Sequence, residues 1–146
     1  MSSSPYKILY FCTQNSFSIH PLIKLIRNKQ HVIGIVLPDL IPSHKSISNY
    51  IPLIHHSNDT IIDTARKHNI PIWTISTLPP NLVFDLLVVA CFPYRLKQTL
   101  ISRAKIAAVN IHPSLLPNYK GPAPLFWQFR NGQTNTGVTV HHLDSN

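Results

Sequence analysis

The sequence is poor in acidic residues, in glycine and in cysteine. Its 146 residues include 5 Asp or Glu against 13 Lys or Arg, which leaves a formal net charge of +8. Two cysteines are too few for a disulfide framework or a cysteine-based metal site, so we expect Cys12 and Cys91 to be reduced thiols. No apolar run approaches the roughly 18 residues of a membrane-spanning helix, and the first residues lack the basic start of a signal peptide. We therefore expect a cytoplasmic protein without a membrane partner.

These shortages also limit the ligands. The polar turn after the first apolar run, Thr13–Ser16, lacks the Gly-x-Gly-x-x-Gly pattern that lets a backbone approach a pyrophosphate, which disfavours a dinucleotide. The adjacent pair His55 and His56 is better explained as solvated side chains than as metal ligands, and no metal is predicted. The basic residues are scattered from Lys7 to Arg130, so the positive charge favours anionic partners such as RNA or a nucleotide-sugar without selecting one.

Apolar runs of strand length recur along the chain between polar and helix-forming stretches. The predicted strands are Tyr6–Cys12, Val32–Leu37, Ile70–Trp73, Asp85–Cys91, Ile106–Ile111 and Gly137–Leu143. The run at 85–91 is the richest in apolar, β-branched residues and is expected at the centre of the sheet, whereas Pro71 predicts an edge position for its strand. Near-continuous apolar strands are typical of a parallel sheet covered on both faces.

Helices are predicted between these strands from apolar spacing and capping residues. They run around Leu22–Ile26, from Asp59 or Thr60 to His68, after Leu96 to about Arg103, and from Pro122 or Pro124 to Arg130. Residues 38–58 are predicted as a loop, and Trp127 as a core residue of its helix. Together the elements predict one α/β domain with a Rossmann-like, doubly wound and mostly parallel sheet.

Two polar residues stand at the end of the fifth predicted strand. Asn110 and His112 are two positions apart, so they point to the same face of the strand, and Pro113 ends the strand directly after them. Because open α/β sheets bind ligands at the carboxyl ends of their strands, both side chains are expected in one crevice. Without their flanking residues, capping of the following loop explains the pair better than catalysis does.

The flanking residues favour catalysis. Asn-Ile-His-Pro-Ser-Leu-Leu-Pro at 110–117, Tyr-Lys-Gly at 119–121 and Thr-Gly-Val-Thr-Val-His at 136–141 resemble the 10-formyltetrahydrofolate-dependent formyltransferases. Ala-x-x-x-x-Asn-Ile-Pro-Ile at 65–72 is also similar to that family. Because the chain lacks a glycine-rich phosphate loop after its first strand, it looks more like the N-terminal domain of methionyl-tRNA formyltransferases than like the purine-pathway members.

The resemblance implies a set of site residues. Asn110 is expected to donate to the oxyanion that develops when an amine attacks the formyl carbon, and His112 to move the proton. The folate is expected to contact Phe92, Tyr94, Leu96, His142, Leu143 and Asp144. The amine substrate is expected near Ser114, Leu115, Leu116 and Gly121, with Phe126 as a further neighbour. An equally good explanation of Phe92, Tyr94 and Leu96 is that they pack a helix onto the sheet.

The implied activity is formyl transfer from 10-formyltetrahydrofolate to a primary amine, with methionyl-tRNA and an amino-sugar nucleotide as candidates. Two alternatives stay open, a catalytically inactive binding or assembly relative and a formyl hydrolase. Active members carry a catalytic aspartate in an Asp-x-Gly step, which family spacing puts shortly after Asn146, since Asp144 comes too early. The 146 residues are therefore expected to be an incomplete catalytic domain with weak or no activity, and its exposed last strand is expected to allow self-association.

Overall fold

The computed structural model describes residues 5–39 and 60–143 of the chain. Asp144 and most of the predicted loop at 38–58, with His55 and His56, lie outside the described residues. None of the described helices is long and apolar enough to cross a membrane.

The described residues form one sheet of six strands in the order β3-β2-β1-β4-β5-β6. The strands are β1 Lys7–Cys12, β2 His31–Leu37, β3 Ile72–Thr74, β4 Leu86–Ala90, β5 Ala107–His112 and β6 Thr139–His142. The first five strands pair in parallel, and β6 pairs antiparallel with β5. This confirms the predicted mostly parallel α/β sheet, with β4 near its centre and β3 at one edge.

Four described helices connect the strands. They are α1 Ser16–Arg27, α2 Ile61–Lys67, α3 Gln98–Ile101 and α4 Pro124–Arg130. Asn15 caps α1 by accepting the N–H of Ser18 at 2.8 Å, and the predicted cap Thr60 accepts the N–H of Asp63 at 3.0 Å. The third helix is shorter than predicted, because it ends at Ile101 after a single turn instead of continuing to about Arg103. The side chain of Arg103, beyond the helix, donates to the carbonyl groups of Pro79 and Leu82.

Alternating residues of the central strands fill a hydrophobic core on each face of the sheet. Ile8 and Tyr10 of β1 pack with Leu22 of α1 and with α2, whereas Leu9 and Phe11 pack on the opposite face. The sheet is therefore covered on both faces, which explains the near-continuous apolar runs of its strands.

The prediction that Trp127 is a core residue is wrong. The inner side of α4 carries Pro124 and Gln128, both buried and one helical turn apart, and Gln128 donates to the carbonyl of Pro113 at 3.0 Å. Trp127 is 46% exposed and Phe129 is 83% exposed. A buried polar side chain, held by its hydrogen bond, thus takes the position that the aromatic residue was expected to fill.

Candidate active site

An open cleft of about 420 Å³ lies at the carboxyl ends of β4 and β5, next to β6. Its apolar lining residues are Val89, Phe92, Leu96, Ile101 and Leu143. Its polar lining residues are Tyr94, Arg95, Gln98, Asn110, His141 and His142. Small-molecule sites usually combine an apolar wall with a few convergent polar groups, as this cleft does.

The cleft contains most of the residues predicted to bind folate. Phe92, Tyr94, Leu96, His142 and Leu143 all line it. Phe92 also packs edge to face on Phe11 of the core, with ring centroids 5.2 Å apart. The two explanations of these residues are therefore compatible, because the same side chains hold the segment after β4 on the sheet and form the wall of the cleft.

Asn110 reaches the cleft from β5, directly opposite a histidine of β6. Asn110 and His141 are register partners in the antiparallel pair, and Asn110 Nδ2 lies 3.1 Å from His141 Nε2. The other ring nitrogen of His141, Nδ1, lies 2.8 Å from the carbonyl oxygen of His142. His141 was not predicted as a site residue, although the alternation of the last strand puts it on the same face as Thr139.

His112 lies beside this pair but does not line the cleft. Its Nε2 is 3.0 Å from the carbonyl oxygen of Tyr119, and its ring centroid is 6.5 Å from that of His141. A carbonyl oxygen only accepts hydrogen bonds, so Nε2 carries a proton, and Nδ1 of the neutral ring keeps a free lone pair. The imidazole is thereby held as a potential proton acceptor at Nδ1.

The loop of residues 113–123, called here the β5–α4 loop, is fixed by polar contacts. Ser114 is fully buried, and its hydroxyl donates to the carbonyl of Asn118 at 2.8 Å. Thr139 Oγ1 donates to the carbonyl of Ser114 at 2.7 Å and accepts the N–H of Leu116 at 3.1 Å. Gln128, which also accepts the hydroxyl of Thr136, holds the start of the loop through Pro113. These contacts set the position of Tyr119, and through it the orientation of His112.

The residues predicted for the amine substrate lie in this loop and outside the cleft lining. Leu115 is 54% exposed, and Gly121 adopts a positive φ of 100° with open space where a Cβ would lie. Ser114 has no exposed surface, and its described contacts are with the loop and with Thr139 of β6. The roles of Ser114, Leu115, Leu116 and Gly121 in substrate binding stay predictions.

The two cysteines lie at the same edge of the sheet, because β1 ends at Cys12 and Cys91 follows β4. Both are free thiols. Burial raises the pKa of Cys12, with the nearby Cys91 adding to the effect. Burial also raises the pKa of Cys91, against a smaller lowering by a hydrogen bond with Asn15. Both thiols are therefore protonated at neutral pH, which disfavours a cysteine nucleophile.

The described residues contain no group of three or more His, Cys, Asp or Glu side chains that could hold a metal ion.

The family model described as formyl transferase matches residues 7–146, which include every residue of the cleft. The chain belongs to the formyl transferase family.

Curated members of this family are similar over most of the chain. The methionyl-tRNA formyltransferase of Lactiplantibacillus plantarum is 33% identical over 144 residues, which cover 92% of this chain and 43% of the relative. The methionyl-tRNA formyltransferase of Geobacter sulfurreducens is 32% identical over 145 residues, or 94% of this chain and 44% of the relative. The chain thus spans less than half of the length of these relatives.

Solved structures share the fold at lower sequence identity. Glycinamide ribonucleotide transformylase 1 of Geobacillus kaustophilus has a TM-score of 0.68 and 20% identity, covering 98% of this chain and 77% of that protein. A formyltetrahydrofolate deformylase of Pseudomonas syringae has a TM-score of 0.67 and 16% identity, covering 99% of this chain and 48% of that protein. The formyl transferase fold is therefore shared by proteins named for transfer and by proteins named for deformylation.

Proposed function

We propose that this chain is the formyl-transferring part of a folate-dependent formyltransferase, which moves a formyl group from 10-formyltetrahydrofolate to a primary amine. The observation that supports it best is the position of Asn110, an amide donor in the wall of a ligand-sized cleft, within a chain of the formyl transferase family. The folate supplies the formyl carbon that the amine attacks. The residues of the chain bind the folate, stabilise the charge on the formyl oxygen and move the proton.

The cleft suits a pterin. A pterin is flat and carries hydrogen-bonding groups along one edge, and the cleft pairs an apolar wall with polar groups on β5 and β6. Its volume of about 420 Å³ falls within the range of small-molecule sites, roughly 300–1,000 Å³. We propose that Phe92 and Leu96 contact the ring, while backbone groups of the same segment bind its polar edge.

Asn110 is proposed to stabilise the negative charge that develops on the formyl oxygen. Asn110→Ala should lower kcat by about a hundredfold or more with folate affinity almost unchanged, and Asn110→Asp should be no better. The matched control is Asn135→Ala, because Asn135 is exposed and uses only its backbone carbonyl in the described contacts. Turnover at the wild-type rate in Asn110→Ala would remove this residue from the mechanism.

His112 is proposed to take the proton from the attacking amine, directly or through a water. Its Nε2–H is held by Tyr119, so the proton would arrive at Nδ1. His112→Gln keeps hydrogen bonding but not proton exchange, and should therefore lower kcat and flatten the pH dependence of the rate. An unchanged pH profile in this variant would assign His112 a structural role.

The proposed amine is that of methionyl-tRNA, because the relatives described above are named for that substrate. The net charge of +8 is compatible with a polyanionic partner. An amino-sugar nucleotide is the second candidate.

The two transfers are distinguished from hydrolysis by measuring tetrahydrofolate release with methionyl-tRNA, with an amino-sugar nucleotide and with no amine. Folate binding without release in any mixture would favour a binding or assembly module.

A carboxylate next to His112 is the remaining part of the proposed mechanism. Among residues 5–39 and 60–143, the His112 ring is hydrogen bonded to Tyr119 and to no Asp or Glu. We propose that the aspartate of a following Asp-x-Gly step orients this imidazole and stabilises the positive charge that the ring gains when it takes the proton. The 146-residue chain should then be far less active than a form extended through such a step, where the source gene encodes one. Equal activity of the two forms would contradict this proposal.

Two further properties are proposed for the chain. Within the described sheet β6 is an outer strand, with Val138 and Val140 exposed, so this edge offers unpaired backbone groups for self-association. Sedimentation over a range of concentrations tests this self-association, and a monomer at every concentration would contradict it.

The free thiols Cys12 and Cys91 favour a reducing, cytoplasmic location, which fractionation of the source cells would test.

A further inference from the structure

Both ring nitrogens of His141 are engaged in hydrogen bonds. Nδ1 lies 2.8 Å from the carbonyl oxygen of His142, and Nε2 lies 3.1 Å from Nδ2 of Asn110. The carbonyl oxygen only accepts, so Nδ1 carries the proton. In a neutral imidazole Nε2 then has a lone pair and no hydrogen, and it accepts a hydrogen bond from Asn110.

This tautomer fixes the carboxamide of Asn110 in one of its two orientations. With Nδ2 toward His141, an N–H of the amide meets the Nε2 lone pair. Rotation of the amide by half a turn would bring the Oδ1 lone pairs against the Nε2 lone pair and replace a hydrogen bond with repulsion. At this partly buried site, a made hydrogen bond in one orientation against a broken one in the other keeps the first orientation dominant.

We propose that His141 is a positioning residue that keeps the amide nitrogen of Asn110, rather than its oxygen, available to the cleft. A carboxamide nitrogen has two hydrogens, and His141 takes one of them. The second remains to donate to the formyl oxygen, so this inference rests on the function proposed for Asn110. The reversed amide would present an acceptor to a developing negative charge and would oppose the reaction.

The hydrogen bond is tested first without any activity. In the 15N-labelled chain, the ring nitrogen shifts of His141 should report a protonated Nδ1 and an unprotonated Nε2, and a scalar coupling should join Asn110 Nδ2 to His141 Nε2. The variant His141→Phe keeps an aromatic ring of strand-forming character but removes the acceptor, and it should make the two side-chain N–H signals of Asn110 shift and exchange faster. A matched control is Val140→Thr, the adjacent residue of β6, which is exposed.

The catalytic consequence is tested by kinetics in the form of the chain that shows turnover. His141→Phe should lower kcat about tenfold with little change in the KM for folate, a smaller loss than in Asn110→Ala because the amide still donates part of the time. His141→Gln supplies an acceptor oxygen and should recover most of the rate. In the Asn110→Ala background, His141→Phe should have no further effect, since His141 acts through Asn110.

Three results would overturn the proposal. The first is a proton on Nε2 of His141, and the second is a set of Asn110 side-chain signals that do not respond to His141→Phe. The third is that His141→Phe lowers kcat in the Asn110→Ala background by as much as it does in the wild-type chain. Failure of the proposed function looks different. If the coupling and the Nδ1–H tautomer are observed but the wild-type chain formylates no amine, His141 still positions Asn110. The proposed role of Asn110 in formyl transfer is then the part that is contradicted.

Discussion

Thr139 joins β6 to the β5–α4 loop through two hydrogen bonds of one hydroxyl group. It accepts the N–H of Leu116 at 3.1 Å and donates to the carbonyl of Ser114 at 2.7 Å. Thr139→Val keeps the β-branched shape but leaves both backbone groups without this partner. An ordinary hydrogen bond contributes about 1 kcal/mol, and an unpaired buried group costs about 1–3 kcal/mol.

We expect Thr139→Val to lower the free energy of unfolding by about 2 kcal/mol. This is below the sum of two fully buried losses, because Thr139 and Leu116 are half-buried and water can reach part of the site. For a domain of this size the melting temperature should fall by roughly 6 °C. The loss should also lower kcat, since the loop carries the Tyr119 carbonyl that orients His112.

Urea unfolding followed by circular dichroism measures the stability, and amide hydrogen exchange measures the local effect. The amide of Leu116 should exchange faster in Thr139→Val because its local hydrogen bond is lost. Amides of the central strands should exchange faster only to the extent that the global free energy of unfolding falls. Thr139→Ser is the matched control, because it retains the hydroxyl and loses one methyl group. The reasoning is refuted if Thr139→Val and Thr139→Ser unfold at the same urea concentration and protect Leu116 equally.

Two other predictions follow from packing and from the thiols. A Cβ at Gly34 would overlap the ring of Trp73, so Gly34→Ala should destabilise the fold by about 1–3 kcal/mol. Trp73→Leu should be less harmful in the Gly34→Ala background than alone, and additive free energies of urea unfolding would contradict this. Because burial raises the pKa values of Cys12 and Cys91 in the folded chain, the thiols of the unfolded chain lose their protons at lower pH. The contribution of the thiols to stability should therefore be constant below about pH 8 and fall as pH rises through the unfolded thiol pKa of about 8.5. Melting temperatures recorded from pH 7 to pH 10 check it, and the double variant Cys12→Ala, Cys91→Ala should show a shallower decline.

The fold was predictable because its strands are buried on both faces. Runs such as 85–91 contain almost nothing but apolar residues, and no surface helix tolerates such a run at this length. The central position of β4 and the edge position of β3 followed from the same composition and from Pro71. Boundaries were less exact, because strand ends depend on local geometry such as the positive φ of 53° at Cys91, which stops β4 one residue early.

The helix α4 shows what periodicity alone could not decide. Its aromatic residues Trp127 and Phe129 are the natural choice for a buried face, yet the buried residues are Pro124 and Gln128. The reason is a contact distant in sequence, the carbonyl of Pro113, which a buried amide satisfies and an indole ring does not. Similarly, His141 could not be paired with Asn110 until the antiparallel register of β5 and β6 was known.

The antiparallel strand β6 is the element on which both proposed catalytic groups depend. Its register sets His141 opposite Asn110 and Thr139 opposite His112. His141 binds the Asn110 amide directly, whereas Thr139 holds the β5–α4 loop whose Tyr119 carbonyl binds the His112 ring. Since side chains alternate along a strand, a slip of one residue would turn Thr139 and His141 away together. The short strand therefore orients both the proposed hydrogen-bond donor to the oxyanion and the proposed proton acceptor, and its pairing with β5 is as necessary to the proposed chemistry as the two residues themselves.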